Sequence, residues 1–301
     1  MKTQRIIAAA LLFVLITGAA AVAQDIEDNV SVYTSANGKK YLQPLADAFG
    51  ANLNSGFFRS AKIKKLGLSL EIGIKAMYAP IPDEKKVFTA VEDEIGGVTW
   101  TPVPGTELAT IFGAEGDQEV LGQGGISVTV PGGAVDTDFF PLAVPQLTIG
   151  SIFGTELTVR YIKYNINDEI GEIMLAGWGV RHNVSQYIPL CPVDIAVGYY
   201  HQTFEIGDVI TAGATYYGFQ ASKKFSILTL YGAIGMEKSN LDISYTQEGG
   251  PEDVAVAFNL NGENNTRTTI GFSLDLSVLK LHADYSMAAQ NVITAGIGFG
   301  I

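Results

Sequence analysis

Three histidines, His182, His201 and His282, are the side chains best suited to act as bases or metal ligands near neutral pH. A metal site needs several ligands on one small patch, and these three fall on different predicted strands with no short spacing between them. His282 has Lys280 and Asp284 two residues to either side, so all three side chains share one face of a strand. An Asp–His pair could support hydrolysis by general-base catalysis. A network of paired charges filling the inside of a small barrel accounts for the same residues, and we expect that role.

Two other features could indicate chemistry. Gly296, Gly298 and Gly300 are spaced like part of a phosphate-binding loop, but no helix follows them to supply the binding geometry. Cys191 is the single cysteine, which excludes an intramolecular disulfide and any multi-cysteine metal site. The sequence therefore predicts that the protein is not an enzyme and has no metal site and no cofactor.

The composition is apolar and poor in charge. The 301 residues are 47% hydrophobic and 17% charged, with a net charge of −12, whereas soluble domains average about 25% charged residues. An acidic chain lacks the basic surface that general affinity for nucleic acid requires, so we expect no nucleic-acid partner.

Residues 1–23 have the pattern of a secretory signal peptide. Lys2 and Arg5 precede an apolar stretch from residue 6 to residue 19, and Ala21-Val22-Ala23 is a small-x-small cleavage signal. The alternative, an N-terminal membrane anchor, would need about 20 apolar residues. We expect cleavage after Ala23 and export from the cytoplasm.

Beyond about residue 62 the hydrophobic pattern has a period of two. Residues 66–78, 279–287 and 293–301 alternate between an apolar and a polar face, as strands do and helices do not. Ten long segments of this kind are expected, near 65–79, 142–150, 155–164, 169–182, 193–205, 209–222, 225–246, 254–276, 279–288 and 291–301. Membrane-spanning strands need about 9–11 residues. The predicted fold is all-β, a transmembrane antiparallel up-and-down β-barrel of about ten strands (ten to fourteen are open) with a short N-terminal helical segment.

The two faces of each predicted strand can be assigned by the cost of placing charge in lipid. The apolar face is expected to meet lipid, and charged side chains are expected to point into the lumen. The lumen-facing candidates are Glu71, Lys75, Arg160, Arg181, Asp194, Asp275, Lys280, His282 and Asp284.

The predicted divisions are a signal peptide (1–23), an N-terminal periplasmic or plug segment (24–62) and a barrel (63–301) with a long acidic extracellular loop at 80–140. Apolar residues at helical spacing predict a helix over roughly 39–52 that either plugs the barrel or caps its lower rim. The acidic loop is expected to be solvated, with binding of divalent cations as the alternative. A second loop is expected over 247–266, and segment 86–91 could add a strand.

Several short motifs carry a resemblance to a known family. Tyr41-Leu42-Gln43-Pro44-Leu45, Gly154-Thr155-Glu156-Leu157 and Gly177-Trp178-Gly179-Val180-Arg181-His182 resemble blocks of an uncharacterised outer-membrane barrel family of Gram-negative bacteria. The resemblance covers most of the chain after the signal and implies an outer-membrane location. More distantly, the layout resembles FadL-type transporters of hydrophobic compounds, which hold an N-terminal plug inside a monomeric barrel.

The expected partners are outer-membrane lipid, the barrel-assembly machinery through the C-terminal strand, and a small hydrophobic ligand. The alternate apolar positions that end in Phe299 and Ile301 resemble the signal which that machinery reads. Two functions stay open. One is a channel or transporter for small hydrophobic molecules, and the other is a structural or surface-interaction barrel with a closed lumen and a functional 80–140 loop.

Overall fold

The computed structural model describes residues 32–33, 36–95, 98–167, 171–207, 209–247 and 254–301, so the predicted signal peptide lies outside the described residues. Ten strands form a closed barrel in which neighbours in sequence pair antiparallel, and β1 pairs with β10 to close it. This confirms the predicted fold class. The strands are β1 (Ser69–Pro80), β2 (Phe139–Ile152), β3 (Thr155–Asn167), β4 (Gly171–Asn183), β5 (Asp194–Ile206), β6 (Ile210–Phe225), β7 (Leu228–Gln247), β8 (Val254–Asn261 and Thr266–Leu276), β9 (Leu279–Met287) and β10 (Val292–Gly300).

Strand β8 is split into two segments that share one partner. The 20-residue β7 pairs with Thr266–Leu276 along its first half and with Val254–Asn261 along its second half. The predicted strand near 254–276 is therefore confirmed in two segments, and the overlapping prediction of a loop over 247–266 is wrong for Val254–Asn261. The reason is burial, because Phe258 and Leu260 point into the barrel and are almost fully inaccessible.

The two ends of the barrel differ in their connections. The lower mouth is the end where β2, β4, β6 and β8 finish. Two-residue turns there contain Ser226 and Ser277, both at positive φ, as tight hairpins require. A longer connection at the same end contains the 3-10 helix Ser185–Tyr187. The upper mouth is the opposite end, where residues 81–138 join β1 to β2.

Residues 81–138 form a folded unit, which we call the cap. It contains three small antiparallel pairs, Val87–Thr89 with Glu107–Ala109, Asp93–Ile95 with Val98–Trp100, and Gln118–Leu121 with Ser127–Val130, and the 3-10 helices Asp83–Lys85 and Gln123–Gly125. Trp100, Leu108, Ile111, Phe112 and Val130 are buried in it. The expectation of a solvated loop is thus wrong, because the apolar side chains of this segment join the core formed by the helix and the upper wall, where Phe112 contacts Phe140. Segment 86–91 contributes a strand to the cap and none to the barrel.

Helix α1 (Ala36–Leu53) lies inside the upper half of the barrel. Its first turns contact the cap, where Lys40 Nζ donates to the carbonyl oxygen of Thr89 (2.9 Å). The chain then descends the lumen, and Arg59 reaches Glu71 and Asp275 near the lower mouth. The helix therefore does not cap the lower rim. Its apolar side chains instead pack inside the upper lumen, against the upper wall and the cap.

The polarity of the barrel wall reverses between its two halves. In β6 the lumen-facing residues change from apolar to polar on going down, and the outward residues change from polar to apolar. The upper inward residues are Ile210, Ala212 and Ala214, the lower inward ones Gln220 and Ser222, the upper outward ones Thr211 and Thr215, and the lower outward ones Tyr217, Phe219 and Phe225. The predicted pattern of one apolar outward face along a whole strand therefore holds only for the lower half of β6. Along the long strands β6 and β7, the upper half has an apolar interior and a polar exterior, as in a water-soluble protein.

Candidate functional site

Residues 36–64 pass through the lumen from the upper to the lower mouth, and we call them the plug. They comprise α1 and an irregular descending segment. Most residues of α1 (14 of 18) are buried, including polar Asn37, Asp47 and Asn52. The plug and the wall that encloses it form the candidate functional site.

The upper half of the plug is held by apolar packing. The Phe49 ring lies 4.7 Å from that of Phe140 and 5.3 Å from that of Phe204, measured between centroids. Gly50 faces β7 so closely that an added Cβ would lie 2.5 Å from the Cβ of Ser239. Because interiors are close-packed, this contact fixes the helix against the wall.

Arg267 holds the point where the helix ends. This side chain on β8 is buried with Glu237 of β7, and its Nη2 lies 2.9 Å from a Glu237 carboxylate oxygen. The same Nη2 donates to the carbonyl oxygen of Ala51 (2.9 Å), and Nη1 donates to the Ser55 hydroxyl. One buried cation thus satisfies both a wall carboxylate and the orphan carbonyl of a helix end.

Arg160 makes a second set of contacts just below. Its Nη2 donates to the carbonyl oxygen of Ser55 (2.8 Å), and its Nε donates to Gln146 (3.0 Å). The guanidinium carbon lies 3.8 Å from the centre of the Phe57 ring, in cation–π geometry. Gln202 donates to the carbonyl oxygen of Leu53. The wall therefore binds the plug through its main chain, which the plug's side-chain types did not reveal.

Near the lower mouth the contacts become ionic. Arg181 Nε donates to Glu156 (2.6 Å), and its Nη1 donates to the carbonyl oxygen of Ser60. Arg59 bridges Glu71 and Asp275, at 2.8 Å from each. Lys75 lies 3.5 Å from Glu71, and Lys280 lies 3.5 Å from Asp275. Six of the nine predicted lumen-facing residues, Glu71, Lys75, Arg160, Arg181, Asp275 and Lys280, thus line the lower lumen around the plug.

The other three predicted residues are placed as follows. Asp284 is buried and accepts a hydrogen bond from the Tyr231 hydroxyl (2.8 Å). His282 is buried, and neither ring nitrogen has a hydrogen-bond partner among the described residues. Asp194 begins β5 at the lower mouth and is partly exposed. His282 and Asp284 form no hydrogen bond with each other among the contacts described.

The cap closes the upper mouth by binding the start of the plug. Asn37 Nδ2 donates to the carbonyl oxygen of Val91 (2.9 Å), and the Tyr41 hydroxyl donates to that of Gly132 (3.0 Å). Lys85 pairs with Asp47 at 2.8 Å. Sequence reasoning missed these contacts, because no local signal marks a loop that folds back onto a helix 40 to 90 residues away.

One ionic cluster ties the two ends of the cap together. Lys86 donates to Asp138 (2.6 Å) and to Asp136 (3.3 Å). The hydrogen bond to Asp138 favours the charged form and raises the pKa of the Lys86 ammonium.

The lower lumen opens into a cavity of about 310 Å³, which we call the lower vestibule. Phe57 and Phe58 lie among its lining residues together with many charged side chains. Among the described residues there is no group of three or more His, Cys, Asp or Glu side chains that could hold a metal ion. In the same part of the chain, no helix is long and apolar enough to cross a membrane.

Distant likenesses to solved structures concern bacterial barrels. A loop-deletion form of OmpT, an outer membrane protein of Vibrio cholerae, is 11% identical over 53% of this chain and 54% of that one, with a TM-score of 0.26. The N-terminal β-barrel domain of Pseudomonas aeruginosa OprF is 14% identical over 49% of this chain and 96% of that one (TM-score 0.24). Ail, the attachment invasion locus protein of Yersinia pestis, is 11% identical over 78% of this chain and 97% of that one (TM-score 0.24).

The chain spans about half the length of the OmpT structure. At these similarities none of the three carries an argument about activity, and the barrel rests on its own strand pairing. No protein of curated function matches the sequence. A family model does match residues 1–301, and by that match the chain belongs to the family described as "Family of unknown function (DUF6588)".

Proposed function

We propose that this protein is an outer-membrane barrel with a permanently closed lumen, whose role is to hold the cap at the cell surface. The observation that carries the proposal is the plug, which fills the lumen and is bonded both to the wall below and to the cap above. In this proposal the protein is neither an enzyme nor an open channel.

The membrane location is supported by the lower outward face. Ile234, Ile270 and Phe272 are well exposed there, and on β9 and β10 the apolar outward residues run from end to end of nine-residue strands. Nine to eleven tilted residues are what a β-strand needs to cross a bilayer. Exposed apolar surface on this scale is costly in water. The apolar outward side of β10, including Phe299, supports recognition by the barrel-assembly machinery as part of the same proposal.

The closed lumen favours a structural role over transport of hydrophobic compounds. A hydrophobic ligand needs an apolar pocket with few polar groups. The lower vestibule is instead lined by Arg59, Lys75, Glu71, Asp275 and other charged groups. The apolar part of the lumen is already filled by Leu42, Leu45 and Phe49. A FadL-type passage would require the plug to leave a core that also stabilises the cap.

We expect the full chain not to conduct ions. Reconstituted in planar bilayers, it should give no steady ion conductance, and liposomes that carry it should take up a fluorescent hydrophobic probe no faster than empty liposomes. A variant in which a short Gly-Ser linker replaces residues 92–130 of the cap should also give no ion conductance, because the plug still fills the lumen. Deleting residues 36–62 should open ion conductance.

Conductance of the deletion variant serves as the positive control, since it would show that the barrel inserts into the bilayer and that the plug is what blocks the lumen. Heat-modifiable migration on gels would show that each variant is folded. Steady conductance or probe uptake by the full chain would contradict the closed lumen and support the channel.

The proposal also predicts the orientation of the barrel in the outer membrane. Cys191 lies at the lower mouth and the cap at the upper mouth, so only one of them can face the cell exterior. On intact cells, a maleimide too large to cross the outer membrane should not label the native chain at Cys191. The variant Thr129→Cys/Cys191→Ser should be labelled, since Thr129 is exposed on the cap. After cell lysis both proteins should react, which controls for accessibility of the thiols. Labelling of native Cys191 on intact cells would place the cap inside the envelope and overturn surface display.

A further inference from the structure

The lower vestibule concentrates positive charge in an acidic protein. Seven cationic side chains line it (Arg59, Lys62, Lys64, Lys75, Arg181, Lys224 and Lys280) against three carboxylates (Glu71, Glu156 and Asp275). The lining side chains thus carry an excess of four positive charges, whereas the whole chain carries −12. A concave site lined by one sign of charge focuses the field and attracts a counter-ion.

The three carboxylates are already shared among these cations. Asp275 is paired with Arg59 (2.8 Å), Lys280 (3.5 Å) and Lys224. Glu71 is paired with Arg59 at 2.8 Å and only loosely with Lys75 at 3.5 Å. Internal pairing therefore cannot neutralise the vestibule.

Two lysines of the descending plug add to the excess. Lys62 and Lys64 are exposed, line the vestibule and form no ion pair within 4 Å among the described residues. Holding several like charges in a partly enclosed space costs free energy unless an anion offsets it. This arrangement is explained if an anion is a normal occupant.

We propose that the lower vestibule is a binding site for a phosphate group. Its volume of about 310 Å³ lies at the lower end of the range of small-molecule sites. Lys and Arg are the side chains that recognise phosphate oxygens, and Ser69, Thr148 and Thr229 add hydroxyl groups to the lining. The phosphate could belong to a soluble molecule or to the headgroup of a phospholipid at the rim, since exposed Leu70 and Ile301 border the same opening. This inference does not depend on the closed-lumen function.

The test is calorimetric titration of the purified full chain in neutral detergent at low salt, with inorganic phosphate as the soluble probe. In a second arm, the chain is placed in nanodiscs of phosphatidylcholine with or without phosphatidylglycerol. Binding of phosphate, or enrichment of phosphatidylglycerol around the protein, supports the site and identifies its source. Binding should weaken steeply as salt is raised.

The deciding variant is Lys62→Gln/Lys64→Gln, which removes two exposed charges that no described ion pair needs. We expect about tenfold weaker binding, because the variant removes two exposed cations and each exposed ion pair contributes little. Lys238→Gln is the matched control, because Lys238 is exposed on the outer face of β7, away from the vestibule. Absence of binding in both arms, or equal affinity of the double variant and the native chain, overturns the proposal.

Discussion

Replacing Arg267 by methionine is expected to lower the free energy of unfolding by about 3–5 kcal/mol. Arg267 is 2% exposed and its partner Glu237 is 1% exposed, so the variant leaves a carboxylate buried without its cation. It also removes the guanidinium donors to the Ala51 carbonyl and the Ser55 hydroxyl, so that the Ala51 carbonyl keeps only the Ser55 hydroxyl as a side-chain donor (2.7 Å). Urea-induced unfolding of the refolded barrel in detergent, followed by tryptophan fluorescence, would measure the loss.

The companion variants separate the charge from the packing. In Arg267→Met/Glu237→Met no buried charge remains, so the loss should be smaller than in the single variant, with a coupling of about 1–3 kcal/mol between the two positions. Lys163→Met is a surface control, because Lys163 pairs with Glu172 on the exposed outer wall and such pairs contribute up to about 1 kcal/mol. Equal losses for Arg267→Met and Lys163→Met would show that the plug is not clamped as described.

The barrel could be predicted from the sequence because its signal is repeated. Alternation with period two recurs along most of the ten strands, although β6 and β7 alternate less clearly, and a bilayer allows few other structures for such strands. The inward side of Lys75, Arg160 and His282 followed from the cost of charge in lipid, which is a local argument. In the lower half of the barrel each strand can be interpreted by itself.

The contents of the lumen could not be predicted in the same way. Arg160 donates to the main-chain carbonyl of Ser55, which lies 105 residues away in the sequence. Such a contact could not be predicted, because a sequence pattern gives no information about main-chain acceptors. The cap was missed for a related reason. Its acidic, Gly- and Pro-rich composition is typical of a solvated loop, while its few apolar residues, such as Trp100 and Ile111, find their partners only through the fold. The average composition of a segment is polar even when a few of its apolar residues are buried, so it does not reveal that the segment folds.

The reversal of wall polarity explains why some strands alternate poorly. In β7 the outward residues Leu230, Ile234 and Met236 are followed by Lys238 and Asn240 on the same side. A single amphipathic rule applied to all 20 residues averages two opposite patterns. The first half of the strand has an apolar outward face, which the proposed function places in the bilayer, and the second half has an apolar inner face, which packs around α1.

Because of this reversal, two variants on one strand can test how far up the barrel the bilayer extends. Ile234→Arg places a charge on the lower outward face and should cost about 2–4 kcal/mol of unfolding free energy in liposomes. Asn240→Arg makes the same addition six residues higher, where the outward face is polar, and should cost less than about 1 kcal/mol.

The comparison must be made in lipid and again in detergent, because a thin micelle adapts to the protein and should reduce the difference between the two variants. If Asn240→Arg were as costly as Ile234→Arg, the bilayer would extend over the upper half of the barrel. The polar exterior there, with Asp242 and Asn259 facing outward, would then have to meet hydrocarbon. In the proposed location, the upper half projects from the bilayer, and the helix, the apolar wall and the folded cap share one core there.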